Sequence, residues 1–148
     1  MDVELPPDFR EFLRFLDAER VEYLLIGGYA VAFHGYPRAT EDMDIWVAST
    51  PENARRIVKA LREFGIDLPE LTTEMFIKPG SIVRLGVPPL RIDLATTISG
   101  VSFAQCYEAR ITEMIDGTPV SLISLDHLKQ NKKASARHRD LDDLEHLP

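Results

Sequence analysis

The chain has 148 residues, 45% of them hydrophobic and 28% charged, with a net charge of −7. That balance excludes a disordered or membrane-embedded chain, and the acidic surplus argues against broad electrostatic binding of nucleic acid. Cys106 is the single cysteine, so no intrachain disulfide forms and nothing points to an oxidised, secreted scaffold.

The length suits one domain spanning 1–148, and no internal repeat or low-complexity tract divides it. Met1 to Pro7 is acidic and broken by prolines, without the basic start and apolar run of a signal peptide, so the cytoplasm is the expected compartment. The longest apolar stretches, such as Tyr23-Leu24-Leu25-Ile26, are too short to span a bilayer.

Pro6-Pro7-Asp8 opens a helix carrying Phe9, Phe12, Leu13, Phe15 and Leu16 at helical spacing. Val21 to Ile26 reads as a buried strand, ended by Gly27-Gly28, and Tyr29 to His34 as a short helix stopping near Gly35 and Pro37. The next strand is Glu41 to Ala48, with Met43, Ile45 and Val47 on one face and Asp42, Asp44 and Trp46 on the other. Ser49-Thr50-Pro51-Glu52 starts a helix that runs to Phe64 and stops at Gly65.

From Met75 to Ile98 the pattern is β, broken at Pro79-Gly80 and Pro88-Pro89, with strands over Ile82–Leu85 and Leu90–Ala95. A short helix follows over Phe103–Ala109. Two further β runs, Arg110–Ile115 and Pro119–Ile123, meet across Asp116-Gly117, a hairpin signal. Helical sequence closes the chain, starting at Ser124 and continuing or restarting over Arg139–Leu147. The expected class is α/β (α+β): a mixed sheet flanked by helices, mostly on one side, with a C-terminal helix.

Asp42 and Asp44 are two apart on a strand, so their side chains share a face. Asp93, between Ile92 and Leu94, is a third acid on a second apolar strand. Carboxylates in such surroundings lose hydration unless they are paired or bind a metal. Three together repel one another, and an all-oxygen cluster suits Mg²⁺ or Mn²⁺. Gly27-Gly28, between strand and helix, is where a phosphate can approach the backbone.

Ile26-Gly27-Gly28, thirteen residues, then Asp42-Met43-Asp44-Ile45, with Asp93 later, resembles the signature of the DNA polymerase β-like nucleotidyltransferase superfamily. Gly27 to Ala30 and Arg38 to Asp44 resemble more closely its small AbiEii-like branch, which includes toxins of toxin–antitoxin pairs. Lys133, Arg137, Asp140 and Asp143 resemble that branch's Lys-x3-Arg-x2-Asp-x2-Asp helix.

The resemblance implies a metal-dependent enzyme that moves a nucleotide from an NTP to an acceptor: an RNA 3′ end, a protein hydroxyl or a small molecule such as an aminoglycoside. A cognate antitoxin or neighbouring protein is an implied partner. Asp42 and Asp44 would hold the ions, with Asp93 completing the acceptor-side ion. Gly27, Gly28 and Lys133 would hold the triphosphate, with Arg137 on the lysine's helix face. Arg38 and Thr40 either orient the acids, touch phosphate or simply form a polar turn. Asp140 either serves the site or pairs with Arg137 or Lys133. Trp46 either borders the nucleotide or packs in the core. The alternative function is a non-catalytic nucleotide-binding or partner-binding protein with the same fold.

Overall fold

The computed structural model describes residues 4–86 and 91–148. Helix α1 (Pro7–Ala18) has proline in its first turn and buries Phe9, Phe12, Leu13 and Leu16. Strand β1 (Tyr23–Ile26) is buried throughout and runs straight into α2 (Gly27–Phe33). Strand β2 (Asp42–Val47) follows, and then α3 (Pro51–Phe64). The Thr50 side chain caps α3 by accepting from the Asn53 N–H, and Gly65, at φ 113°, ends it in the left-handed conformation.

A 3₁₀ turn over Thr73–Phe76 replaces the β pattern expected from Met75. It packs against α3 and buries Phe76 completely; burial of that ring outweighs the weak β signal of a short segment. Strands β3 (Ile82–Leu85) and β4 (Arg91–Ala95) come next, then α4 (Phe103–Glu108). The Pro88-Pro89 break and Leu90, expected to begin β4, lie outside the described residues. Strands β5 (Ile111–Ile115) and β6 (Thr118–Leu122) form the hairpin. Its two turn residues, Asp116 and Gly117, both have positive φ, as the favoured two-residue turn requires. Helices α5 (Leu125–Ser135) and α6 (His138–His146) end the chain.

One six-stranded sheet has the order β3-β4-β2-β1-β6-β5. It is mixed: β2–β4 and β1–β6 are parallel, while β1–β2, β3–β4 and β5–β6 are antiparallel. Met43, Ile45, Leu94 and Leu25 alternate out of one sheet face and are fully buried. Helix α1 packs on α3, and Phe12 and Phe15 meet Phe64 edge-on at 5.2 and 5.8 Å. Buried Asn53 ties the start of α3 to the sheet: it accepts from the Glu22 N–H and donates to the carbonyls of Glu22 and Ala48. No described helix is long and apolar enough to cross a membrane.

Trp46 belongs to the core. It is 2% exposed, its indole N–H donates to the Thr96 carbonyl, and Phe103 packs edge-on at 5.1 Å. The face it shares with Asp42 and Asp44 is therefore apolar and covered at one end, polar and open at the other. Trp46→Ala is expected to destabilise the protein by about 3–5 kcal/mol, measured by urea unfolding; a loss under about 1 kcal/mol would place the indole outside the core.

Candidate active site

The parallel pairing of β2 with β4 sets Asp44 opposite Asp93 and Asp42 opposite Arg91. The antiparallel pairing of β3 adds Arg84 opposite Asp93. Opposed residues share a face, so two acids and an arginine form a row, with Asp42 and Arg91 in the row beside it. This row lines a cleft of about 860 Å³. Gly27, Gly28, Arg38, Thr40, Lys132 and Arg137 line the same cleft.

The two glycines are explained by what crowds them. Gly27 has φ +68°, and a Cβ there would fall inside the Asp44 carboxylate. A Cβ at Gly28 would meet Thr40 Oγ1 at 2.5 Å and Arg38 Nη1 at 3.2 Å. The missing side chains thus let the acid strand and the Arg38–Thr40 segment close on the turn. Thr40 also donates its hydroxyl to the Asp42 carbonyl.

The C-terminal helices enter through a buried charge network. Asp140 and Asp143 are both 0% exposed. Lys132 Nζ lies 3.1 Å from each. Arg38 pairs with Asp143 through two hydrogen bonds, from Nε at 2.8 Å and Nη2 at 3.1 Å. Arg137 holds Asp140 with its guanidinium and its backbone N–H. Burial alone would raise the Asp140 carboxyl, but the bonds from Arg137 and Lys132 outweigh it and hold the group well below the usual carboxylate range.

Lys133, expected at the triphosphate, is exposed and absent from the cleft lining. The lysine that faces the cleft is Lys132, 4% exposed. Ala136, at φ 50°, ends α5, so Lys133 and Arg137 do not share one helix face as a continuous helix would require. Helical phase could have found Lys132, because buried Leu128 lies four residues before it. Sequence reasoning passed over Arg91, and it placed Asp143 in the helix motif without giving it a role. Arg91 left a signal, since it precedes Asp93 by two on a strand; the role of Asp143 became legible only through its partner Arg38, 105 residues away.

The acids are short of positive charge. Arg91 Nη2 donates to Asp42 Oδ2 at 2.6 Å, and its Nε lies 3.5 Å from Asp93 Oδ1. Asp93 Oδ1 is buried without a hydrogen-bond partner among the described residues. Burial, then the neighbouring Asp93 and Asp42, push the Asp44 carboxyl up to about 6. As the side chains stand, no three described His, Cys, Asp or Glu residues enclose an ion position. The donor set itself, all carboxylate oxygen with an unsatisfied atom and a raised pKa, fits a hard divalent cation.

A model of the aminoglycoside-2''-adenylyltransferase family matches residues 8–147. The chain belongs to this family. It is a nucleotidyltransferase, in agreement with the superfamily read from Gly27-Gly28 and the three acids. No protein of curated function matches its sequence.

Solved structures of similar fold include the following three. A Thermotoga maritima protein solved as a candidate nucleotidyltransferase is 16% identical, with a TM-score of 0.64 over 93% of this chain and 88% of that one. An antigenic nucleotidyltransferase-like protein from Paracoccidioides brasiliensis is 22% identical, with a TM-score of 0.59 over 93% and 72%. The antibiotic-resistance factor ANT(2'')-Ia, whose solution structure shows substrate-regulated conformational dynamics, is 12% identical, with a TM-score of 0.58 over 93% and 79%. The AbiEii-like branch is named by none of these matches.

Two outcomes follow from the geometry. Lys132→Ala leaves two carboxylates buried without their shared cation and should cost about 3–5 kcal/mol, whereas Lys133→Ala should change stability by less than about 0.5 kcal/mol; equal effects in chemical denaturation would contradict the assignment of the buried lysine. Asp44 ionises near pH 6 in the folded state but at 3.8 ordinarily, so the native state loses stability from this group as pH rises from 4 to 6. Asp44→Asn should therefore stabilise the metal-free protein at pH 7.5, by on the order of 1–2 kcal/mol, with the gain vanishing at pH 4. Melting in a chelator at both pH values measures this, and a gain that is equal at both would refute it.

Proposed function

We propose that the protein transfers a nucleoside monophosphate from an NTP to a hydroxyl of a small acceptor, with Asp42, Asp44 and Asp93 binding Mg²⁺ or Mn²⁺. The observation that carries this reading is the convergence of three carboxylates from two strands on one cleft, beside a glycine turn and a row of cationic side chains. A divalent cation bound there would screen the triphosphate and the charge developing on the leaving pyrophosphate.

The chain's own residues supply the rest. Lys132, Arg38 and Arg137 give the cleft positive charge for phosphate oxygens, while Asp140 and Asp143 fix where those charges stand. Asp93, on the sheet row beside Asp44, accepts the proton of the acceptor hydroxyl. The acceptor oxygen then bonds to the α-phosphorus, and the bond to the pyrophosphate oxygen breaks. The proton passes from Asp93 to solvent, so the products are the nucleotidylated acceptor, pyrophosphate and one proton.

Family membership makes an aminoglycoside the first acceptor to test and ATP the first donor. An RNA 3′ end or a protein hydroxyl, with an antitoxin as partner, draws its support from the AbiEii-like motif resemblance alone.

The test is incubation with each α-³²P-labelled NTP and Mg²⁺ or Mn²⁺. Aminoglycosides, total RNA and total protein are offered separately as acceptors. Label is expected on the small molecule, only with added cation, and reduced about a thousand-fold in the Asp42→Ala, Asp44→Ala double variant. Label on RNA or protein would move the acceptor class. Nucleotide binding without any pyrophosphate release would replace the enzyme reading with a non-catalytic binding protein.

A further inference from the structure

Arg91 reaches two of the three acids, Asp42 and Asp93, and Arg84 approaches Asp93 from the edge strand at 3.7 Å. Its contact to Asp42 Oδ2, at 2.6 Å, is a short charge-assisted hydrogen bond. Its contact to Asp93 is not a hydrogen bond: Nε lies 3.5 Å from Oδ1, and both atoms are buried and unpartnered among the described residues. The sheet register imposes this position, because Arg91 stands directly opposite Asp42 and Asp93 follows two residues later. A guanidinium here presents positive charge to the same carboxylates that a divalent cation would use, and the two cations cannot share those oxygens without repulsion.

We propose that Arg91 is a resident counter-cation that competes with the divalent cation for Asp42 and Asp93, and that the nucleotide's triphosphate draws it away. Cation and nucleotide then bind as an interdependent pair. The inference rests on the proposed cation role of the three acids. Of the three cleft arginines hydrogen-bonded to carboxylates among the described residues, Arg91 is the one suited to such a move. Arg38 is clamped to Asp143 by two hydrogen bonds, and Arg137 to Asp140 by two from its guanidinium. Arg91 has one firm bond, lines the cleft and is 30% exposed. Turning toward a phosphate would exchange one bond for the two parallel ones its planar fork can form. By linkage, whatever the nucleotide gains from the bound cation, the cation gains from the nucleotide.

The experiment titrates the protein with Mn²⁺, following free ion by electron paramagnetic resonance. Titrations run alone and with a saturating α,β-methylene NTP analogue, after correction for Mn²⁺ bound by the analogue itself. Wild type should bind Mn²⁺ weakly alone and more tightly with the analogue. Arg91→Gln should bind Mn²⁺ alone roughly ten-fold more tightly, the scale of one charge-assisted hydrogen bond, and lose most of the coupling. Arg91→Lys keeps the charge and should retain the wild-type weakness. If Arg91→Gln is folded by circular dichroism and binds Mn²⁺ no better than wild type, Arg91 is not a competitor and the inference falls while the cation site stands. If wild type binds no Mn²⁺ even with the analogue, the cation role of the acids fails and the inference falls with it.

Discussion

The parallel pairing of β2 with β4 places Asp44 beside Asp93 on neighbouring strands, about 4.8 Å apart in the general spacing of a sheet. Two carboxylates so close, on a largely buried face, are unfavourable unless positive charge lies nearby. Much else in the structure answers to that constraint. Arg91 is paired with Asp42 by the same register, Arg84 approaches Asp93 from the edge strand at 3.7 Å, and Lys132 lowers the Asp44 carboxyl against its acidic neighbours. Parallel strands also need a long crossover, and α3, the 3₁₀ turn and β3 occupy it.

The second half of the site is built by charges that neutralise one another. Asp140 and Asp143 are completely buried, which is tolerable because Lys132, Arg38 and Arg137 surround them. The network does two things at once. It docks α6 onto the segment before β2 through Arg38, and it fixes cationic side chains at the wall of the cleft facing the acids. Gly27 and Gly28 contribute by omission, since side chains there would displace Asp44 and Thr40. Rigid support of this kind is what a site needs to hold charged groups in place before a ligand arrives.

Features decided by local chemistry were legible in the sequence. The α3 boundaries follow from Thr50 and Gly65, the hairpin from Asp116-Gly117, and α1 from the spacing of Phe9, Phe12, Leu13 and Leu16. Asp42 and Asp44 share a face for the equally local reason that strands alternate. What escaped was non-local. No pattern near Asp93 reveals that β4 runs parallel to β2, and so none reveals that Arg91 meets Asp42. The adjacent lysines 132 and 133 differ by about 100° around a helix, and motif spacing favoured the one that packing leaves outside. Trp46 shared a strand face with the acids, yet α4 covers its end of that face and leaves theirs open.

The most direct measurement is a crystal structure with Mn²⁺ and a non-transferable NTP analogue, using anomalous scattering to locate the metal. Manganese density within bonding distance of carboxylate oxygens of Asp42, Asp44 and Asp93, with the triphosphate between them and Lys132, is the predicted result. A nucleotide seated elsewhere, or bound in this cleft with its metal held by none of the three acids, would contradict the account.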